Sequence, residues 1–249
     1  MSLLPIDAAL EDEVRRSADI GFAFVPAARL RTALGAAALA AWPVFAQSWD
    51  RLELDTYMAD GGRYRRRRYA TLSAPVESDA LALEPEQPHY QSRDYNRLNG
   101  GIARHFAPID TTLLAAPTMQ SVLRLGLGLF RRFHPRRAAH IEVHQFRIEA
   151  RADALGRPTP EGAHRDGVDF VLVMMVARVN VGSGTTEIFD LERRRIDSFT
   201  LVEPGDTALV DDRRALHGVT PIVPLDAARP AWRDVLVATY RGIEASAGN

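Results

Sequence analysis

The chain has 249 residues, 46% of them hydrophobic and 25% charged, with a formal net charge of −1. Such a chain can bury a substantial core, and nothing global draws it to nucleic acid or an anionic membrane. It has no cysteine, and all 31 basic residues are arginine, which excludes disulfides, thiolate ligands, Schiff-base lysines and Walker-type NTPases.

The opening "MSLLPIDAALEDEV" is acidic and lacks the basic and apolar regions of a signal peptide. The longest apolar run, "FVLVMMVA", is about eight residues, far short of a membrane span. A cytoplasmic protein without a membrane partner is expected. "AALEDEVRRSADIGFAFV" reads as an amphipathic helix followed by a short strand. "PAARLRTALGAAALAAWPVFAQSWDRL" predicts a helix from about 26 to 41, punctuated by Pro43. The run "GGRYRRRRYATL" interleaves five arginines with two tyrosines. Such a pattern can grip single-stranded nucleic acid. With no second basic face, the plainer reading is a solvated alternating strand or loop, and an anionic-substrate gate is the milder functional one. No nucleic-acid partner is expected. In "YNRLNGG", Tyr95, Asn96 and Arg97 offer a grip for an amino-acid carboxylate or amine, against the plain reading of a capped loop. "APTMQSVLRLGLGLFRRF" has helical spacing, with Pro117 near its start.

Beyond residue 138 the pattern becomes strands. "HIEVHQFRIEA" alternates, with His140, Glu142, His144 and Phe146 on one side and Ile141, Val143, Gln145 and Arg147 on the other. Gln145 or Arg147 is placed as a pocket or ligand-orienting group, and Gln145 is the cofactor-side candidate. "DFVLVMMVARVNV" is a buried strand whose alternate residues could wall a cavity, though core is the commoner role. "GSGTTEIFD", "RIDSFTLVE", "TALVDD", "ALHGVTPIV" and "RDVLVATYR" follow, separated by turns, and the "PGD" between two of them is read as structural. About eight short strands of this kind predict a jelly roll. The expected fold class is α+β, as one domain over 1–249: a mainly helical flank at 1–137 and a jelly-roll core at 138–241.

"EGAHRDGVDF" sits at the mouth of the apolar strand. Residues two apart on a strand share a side, so His164 and Asp166 could aim into one cavity. Alone, this is more often a polar turn. His217, in "RRALHGVTPI", lies downstream between predicted strands and supplies a third donor. Two imidazoles and a carboxylate suit Fe(II) and leave coordination positions open. If those positions take a 2-oxo acid, its far carboxylate needs a buried cation, and a guanidinium offers two parallel bonds. Arg233 is favoured, with Arg229 and Arg241 as alternatives.

"HRDGVDFVLVMMVARVNVGSGTTEIFD", "EPGDTALVDDRRALHGVTPI" and "RDVLVATYR" resemble the bacterial 2-oxoglutarate- and Fe(II)-dependent dioxygenases that include the L-isoleucine hydroxylases. "YNRLNGGIARHFAPI" and "HIEVHQFRIEA" are similar to that family too, so the resemblance covers about residues 90–241. It implies a double-stranded β-helix, which is a cupin-like jelly roll with flanking N-terminal helices. It also implies His164, Asp166 and His217 as iron ligands and catalytic centre, Arg233 as cosubstrate partner, and 2-oxoglutarate and O2 as cosubstrates. The activity implied is hydroxylation of a small polar molecule, a free amino acid or derivative, with release of succinate and CO2. Where the family suggests a Gly-Gly-Glu-like turn bordering the pocket, this chain has "GSGTTEIF". Two other readings stand beside it: a non-catalytic cupin-like metal- or ligand-binding protein, and a nucleic-acid-directed oxygenase. Assembly as a homodimer is left open.

Overall fold

The computed structural model describes residues 20–76 and 78–243. The expected N-terminal amphipathic helix falls outside them. Its following strand is β1 (Phe22–Val25). Two helices come next, α1 (Ala27–Leu34) and α2 (Ala36–Gln47), separated at Gly35, whose φ of 79° is a conformation that glycine adopts without penalty. Pro43 does not end the helix: α2 continues to Gln47. There Phe45 packs edge-on to Trp49 with ring centroids 5.0 Å apart, and both rings are buried. That packing outweighs the lost backbone bond. The remaining helices are α3 (Thr111–Leu114) and α4 (Pro117–Phe133), the latter with proline in its first turn as the sequence suggests.

The strands are β2 (Glu53–Leu54), β3 (Arg65–Ala74), β4 (Ala82–Leu83), β5 (Ala138–Ala150), β6 (Phe170–Val179), β7 (Val181–Ser183), β8 (Thr186–Phe189), β9 (Arg195–Phe199), β10 (Thr207–Asp211), β11 (Leu216–Val219), β12 (Ile222–Pro224) and β13 (Ala231–Ile243). The large sheet has the order β1-β10-β6-β13-β5-β3-β2, with β4 on β3. All its pairings are antiparallel. Two small sheets, β11-β8-β9 and β12-β7, pack on one face of it through Ile188 against Val171 and Val210, and Ile222 and Val181 against Ile148. This is a jelly roll with helices on its outer face. The boundary expected near 138 does not divide helix from strand, because β1 and β3 lie in the large sheet. Tyr69 sits opposite His144 across β3 and β5, and Arg67 opposite Phe146. No helix among the described residues is long and apolar enough to cross a membrane.

Strand alternation sorts the large sheet into two surfaces. Leu72, Ile141, Val143, Leu172, Met174, Leu236 and Tyr240 face the helices and share a core with Met119, Leu123, Leu127 and Phe130 of α4, which recur at helical spacing. The opposite residues face the small sheets. The helix meets the sheet closely at Gly126: a Cβ there would overlap the Tyr240 hydroxyl and lie 2.6 Å from its Cζ. Tyr240 cannot yield freely, because it is fully buried and its hydroxyl donates to the Leu123 carbonyl at 2.9 Å. Gly126→Val should therefore destabilise the fold by about 2–3 kcal/mol through overpacking, read as a lowered denaturation midpoint at unchanged slope.

Candidate metal centre and active-site cavity

His164 and His217 meet through a backbone bridge across the cavity mouth. The His164 amide donates to the His217 carbonyl at 3.0 Å and the His217 amide to the His164 carbonyl at 2.9 Å. This brings their rings to 4.9 Å between centroids. Asp166 stands between them, its carboxylate oxygens each 3.5 Å from one Nε2. One donor atom from each of the three residues lies within 4.8 Å of the others, so a single ion about 2 Å from each donor fits. The His164 Nδ1 sits 3.0 Å from the Gly162 carbonyl, which fixes that tautomer and leaves Nε2 for a metal. Burial disfavours charge on all three residues, yet the His164 hydrogen bond and the charges of His164, His217 and His144 hold Asp166 well below the usual carboxylate range. Burial likewise opposes the His164 imidazolium, but Asp166 beside it, with Glu161, raises it to about 9. Burial and the His164 charge take His217 down to about 4. An anionic carboxylate between two imidazoles is a donor set suited to a divalent cation, whose binding would displace a proton from His164.

The turn that presents Asp166 is itself built. Asp212, 1% exposed, accepts the backbone N–H groups of Asp166 at 2.8 Å, Gly167 at 2.8 Å and Val168 at 3.1 Å. Gly167 has φ of 82°, and a Cβ on it would lie 2.6 Å from the Tyr95 ring; glycine satisfies both demands. The Gln91 amide reaches the Asp166 Oδ1 at 3.3 Å, and Asn96 in turn donates to the Gln91 Oε1 at 3.1 Å.

These donors open on a cavity of about 310 Å³, near the lower end of the roughly 300–1,000 Å³ range of small-molecule sites. Its wall is the inner surface of the large sheet. Arg233, at the start of β13, lines it and is 2% exposed. Its Nε and Nη2 are buried without a hydrogen-bond partner. Burial, and then the charge of Arg178, lower its pKa to about 10, so the guanidinium remains charged at neutral pH.

Over residues 46–239 the sequence matches the family of 2OG-Fe dioxygenases, and that span contains all three donors and Arg233. The chain belongs to the 2OG-Fe dioxygenase family. It is 28% identical over 193 residues to the L-isoleucine-4-hydroxylase of Bacillus thuringiensis, covering 76% of this chain and 78% of that one. It is 26% identical over 198 residues to the 3(1)-hydroxy-L-isoleucine 4-dioxygenase of Pantoea ananatis, covering 78% of each. The crystal structure of a bsmA homologue from Methylobium petroleophilum PM1 superposes with a TM-score of 0.84 at 37% identity, over 95% of both chains.

As a member of that family the protein is an oxidoreductase that uses Fe(II), 2-oxoglutarate and O2, and its donor set suits the metal. The structure also sorts the sequence-level candidates of this dioxygenase. Arg229 is exposed and borders a different surface hollow. Arg241 touches the cavity but is exposed at the far end of β13. Gln145 corrects the sequence reading: it is 1% exposed, faces the helices, and donates to the Ser48 Oγ at 2.8 Å. Arg147 shares that face and pairs with Asp234 at 2.8 Å. The cavity lies on the His140–Glu142–His144–Phe146 side instead. Of the "YNR" group, Tyr95 and Asn96 line the cavity, Asn96 also donating to Gln91, whereas Arg97 is exposed. The "GSGTTEIF" turn contributes no residue to the wall, and from the apolar strand only Val173 does. The Asp206 of "PGD" is structural as expected, accepting the backbone N–H groups of Ala27, Val202 and Glu203.

Several wall residues are not singled out as cavity groups in the sequence. Arg65 and Arg67, from the arginine run, are buried and turned into the cavity, so two of its five arginines are not solvated and cannot serve as a surface grip. Arg104 comes from an irregular loop. His89, Glu142 and His144 form a second group of candidate donors within 4.8 Å of one another, but this group does not suit a metal. Arg67 Nη2 lies 2.6 Å from the His144 Nδ1, and because a guanidinium only donates, that lone pair is taken and the proton stands on Nε2. Glu142 accepts the Tyr69 hydroxyl at 2.8 Å and lies 3.2 Å from His89. Burial opposes its charge, but hydrogen bonds from His140 and His89 hold it well below the usual range. It is an anion on the cavity wall.

Proposed function

We propose that this dioxygenase hydroxylates a free amino acid or a close derivative. In this reading His164, Asp166 and His217 hold Fe(II), and Arg233 grips the distal carboxylate of 2-oxoglutarate. The observation that carries it is the buried, unpartnered Arg233 guanidinium on the wall of the same cavity onto which the His-Asp-His donors open. When bound, the iron and its cosubstrates supply the oxidising power that places one oxygen atom in a substrate C–H bond, with succinate and CO2 released. The chain's own part is positioning and exclusion of water. Val173, Val235 and Val237 form an apolar patch of the wall, while Glu142 and the arginines provide charges of both signs, which suits a zwitterion. Two curated relatives are named for isoleucine substrates, which supports the amino-acid class.

Anaerobic loading with Fe(II) and 2-oxoglutarate, then oxygen, across the amino acids and their N-acyl derivatives, tests this. At least one compound should yield succinate and a product 16 mass units heavier in equal amounts. Iron binding with no succinate above the substrate-free background for any of them would favour the non-catalytic alternative.

A further inference from the structure

We infer that Arg104, backed by Arg67, anchors the carboxylate of the substrate at a place separate from the one Arg233 provides for 2-oxoglutarate. This rests on the dioxygenase reading and deepens it. Arg104 is 2% exposed and lines the cavity. Its Nε and Nη2, the edge that binds a carboxylate through two parallel bonds, are buried without a hydrogen-bond partner. The same two atoms are unpartnered in Arg233. A buried guanidinium with no counterion works against folding, so stability does not account for either residue.

The carboxylates that act on Arg104 are Asp55, Glu161 and Glu142. Glu161 stands by the metal donors, 3.6 Å from the His164 Nε2 with its Oε2 unpartnered, and the other two are already engaged. Asp55 is 2.7 Å from Arg65 and 3.7 Å from Arg67, and it also accepts the Tyr57 amide. Glu142 is taken by Tyr69 and His89. Among the described residues no carboxylate reaches Arg104. Arg67 is held rigidly, its Cζ 3.6 Å from the Phe106 ring centroid and 4.6 Å from that of Phe146, while Arg104 lies 6.0 Å from the same Phe106 ring. The two guanidinium groups thus flank one aromatic side chain and form a cationic corner. Burial, and then the charge of Arg65, hold Arg104 below its ordinary pKa, a strain that an incoming anion relieves. The corner is distinct from the Arg233 site. Arg67 pairs with Phe146 of β5, which pairs with Val235 of β13, so Arg67 lies two strand spacings, about 10 Å, across the sheet from β13 and two residues along from the register of Arg233. With its near end on the metal, 2-oxoglutarate has one free carboxylate to offer, so the second corner takes the carboxylate of another molecule. The ligand class is a small carboxylic acid, and its amides and esters are excluded.

The test compares the best amino-acid substrate with its primary amide and methyl ester, in the wild type and in Arg104→Gln and Arg104→Lys. The wild type should prefer the free acid by about 1,000-fold or more in kcat/KM, because a site built for a charged partner rejects the analogue that lacks it. Arg104→Gln should raise the substrate KM about 100-fold, leave the cosubstrate KM unchanged and narrow the preference over the amide; Arg104→Lys should recover part of the loss. The acid-versus-amide comparison in the wild type stands even if a variant fails to fold. Equal turnover of acid and amide overturns the anchor while leaving the amino-acid reading intact, and so does a raised cosubstrate KM in Arg104→Gln. If amino acids fail but other carboxylic acids are hydroxylated in an Arg104-dependent way, the amino-acid reading falls and the anchor holds.

Discussion

Arg233→Ala should abolish 2-oxoglutarate turnover at ordinary cosubstrate concentrations while metal binding survives. The guanidinium is 2% exposed and touches none of the three donors, so the metal site does not depend on it. Its loss removes a charge-assisted, two-bond contact from a dry cavity, which raises the cosubstrate KM by about 10²–10³-fold, or about 3–4 kcal/mol. A second effect runs the other way. Without its ligand, Arg233 is a buried cation beside the like-charged Arg178. An apolar replacement of similar length, Arg233→Met, should therefore stabilise the ligand-free protein by about 1–3 kcal/mol. Thermal melts and Fe(II) or Co(II) titrations, with and without 2-oxoglutarate, separate the two. The wild type gains stability from 2-oxoglutarate and the variant does not. Retention of a wild-type cosubstrate KM in Arg233→Ala would move the role to Arg241 or to the Arg104 corner.

The parts of this site that are legible in the sequence are those whose chemistry is local or whose context is regular. His164 and Asp166 are two residues apart at a strand mouth. His217, expected between two recognisable strands, lies on the short strand β11, and the antiparallel jelly roll that joins it to His164 follows from the spacing of apolar runs. Period-2 alternation separates the two faces of β5 correctly but carries no sign of which face holds the cavity. Helices cover the outer face of that sheet, so both faces are buried and both tolerate polar residues; Gln145, expected in the cavity, lies on the other side. The same ambiguity hides Arg65 and Arg67: a run of four consecutive arginines looks like a solvated strand, and only the pairing of β3 with β5 shows that alternate members point inward. Arg104 and Gln91 lie in irregular chain, where no periodicity announces a buried side chain. Asp212 reads as a turn residue because its partners are backbone N–H groups more than forty residues away.

Asp212 carries the second large effect. Its side chain does not line the cavity itself, yet it gathers the N–H groups of three successive wall residues, Asp166 to Val168, and so fixes the direction in which the Asp166 carboxylate leaves the backbone. In Asp212→Ala these donors stay buried and lose their acceptor. At about 1–3 kcal/mol for each unsatisfied buried group, partly relieved by water entering the space left, a net loss of about 3 kcal/mol in stability is expected. The loosened turn lets Asp166 swing, and a ligand without its supporting partner costs about 10–100-fold in metal affinity. Asp212→Asn keeps one carbonyl oxygen in place and should show an intermediate loss in both. Denaturation of the metal-free proteins gives the stability change, and Co(II) titration monitored by its visible absorption gives the affinity change. A role confined to stability would leave Co(II) affinity at the wild-type value under conditions where the variant is fully folded; a fall in affinity there shows that the reach of Asp212 into the site is through the geometry of Asp166.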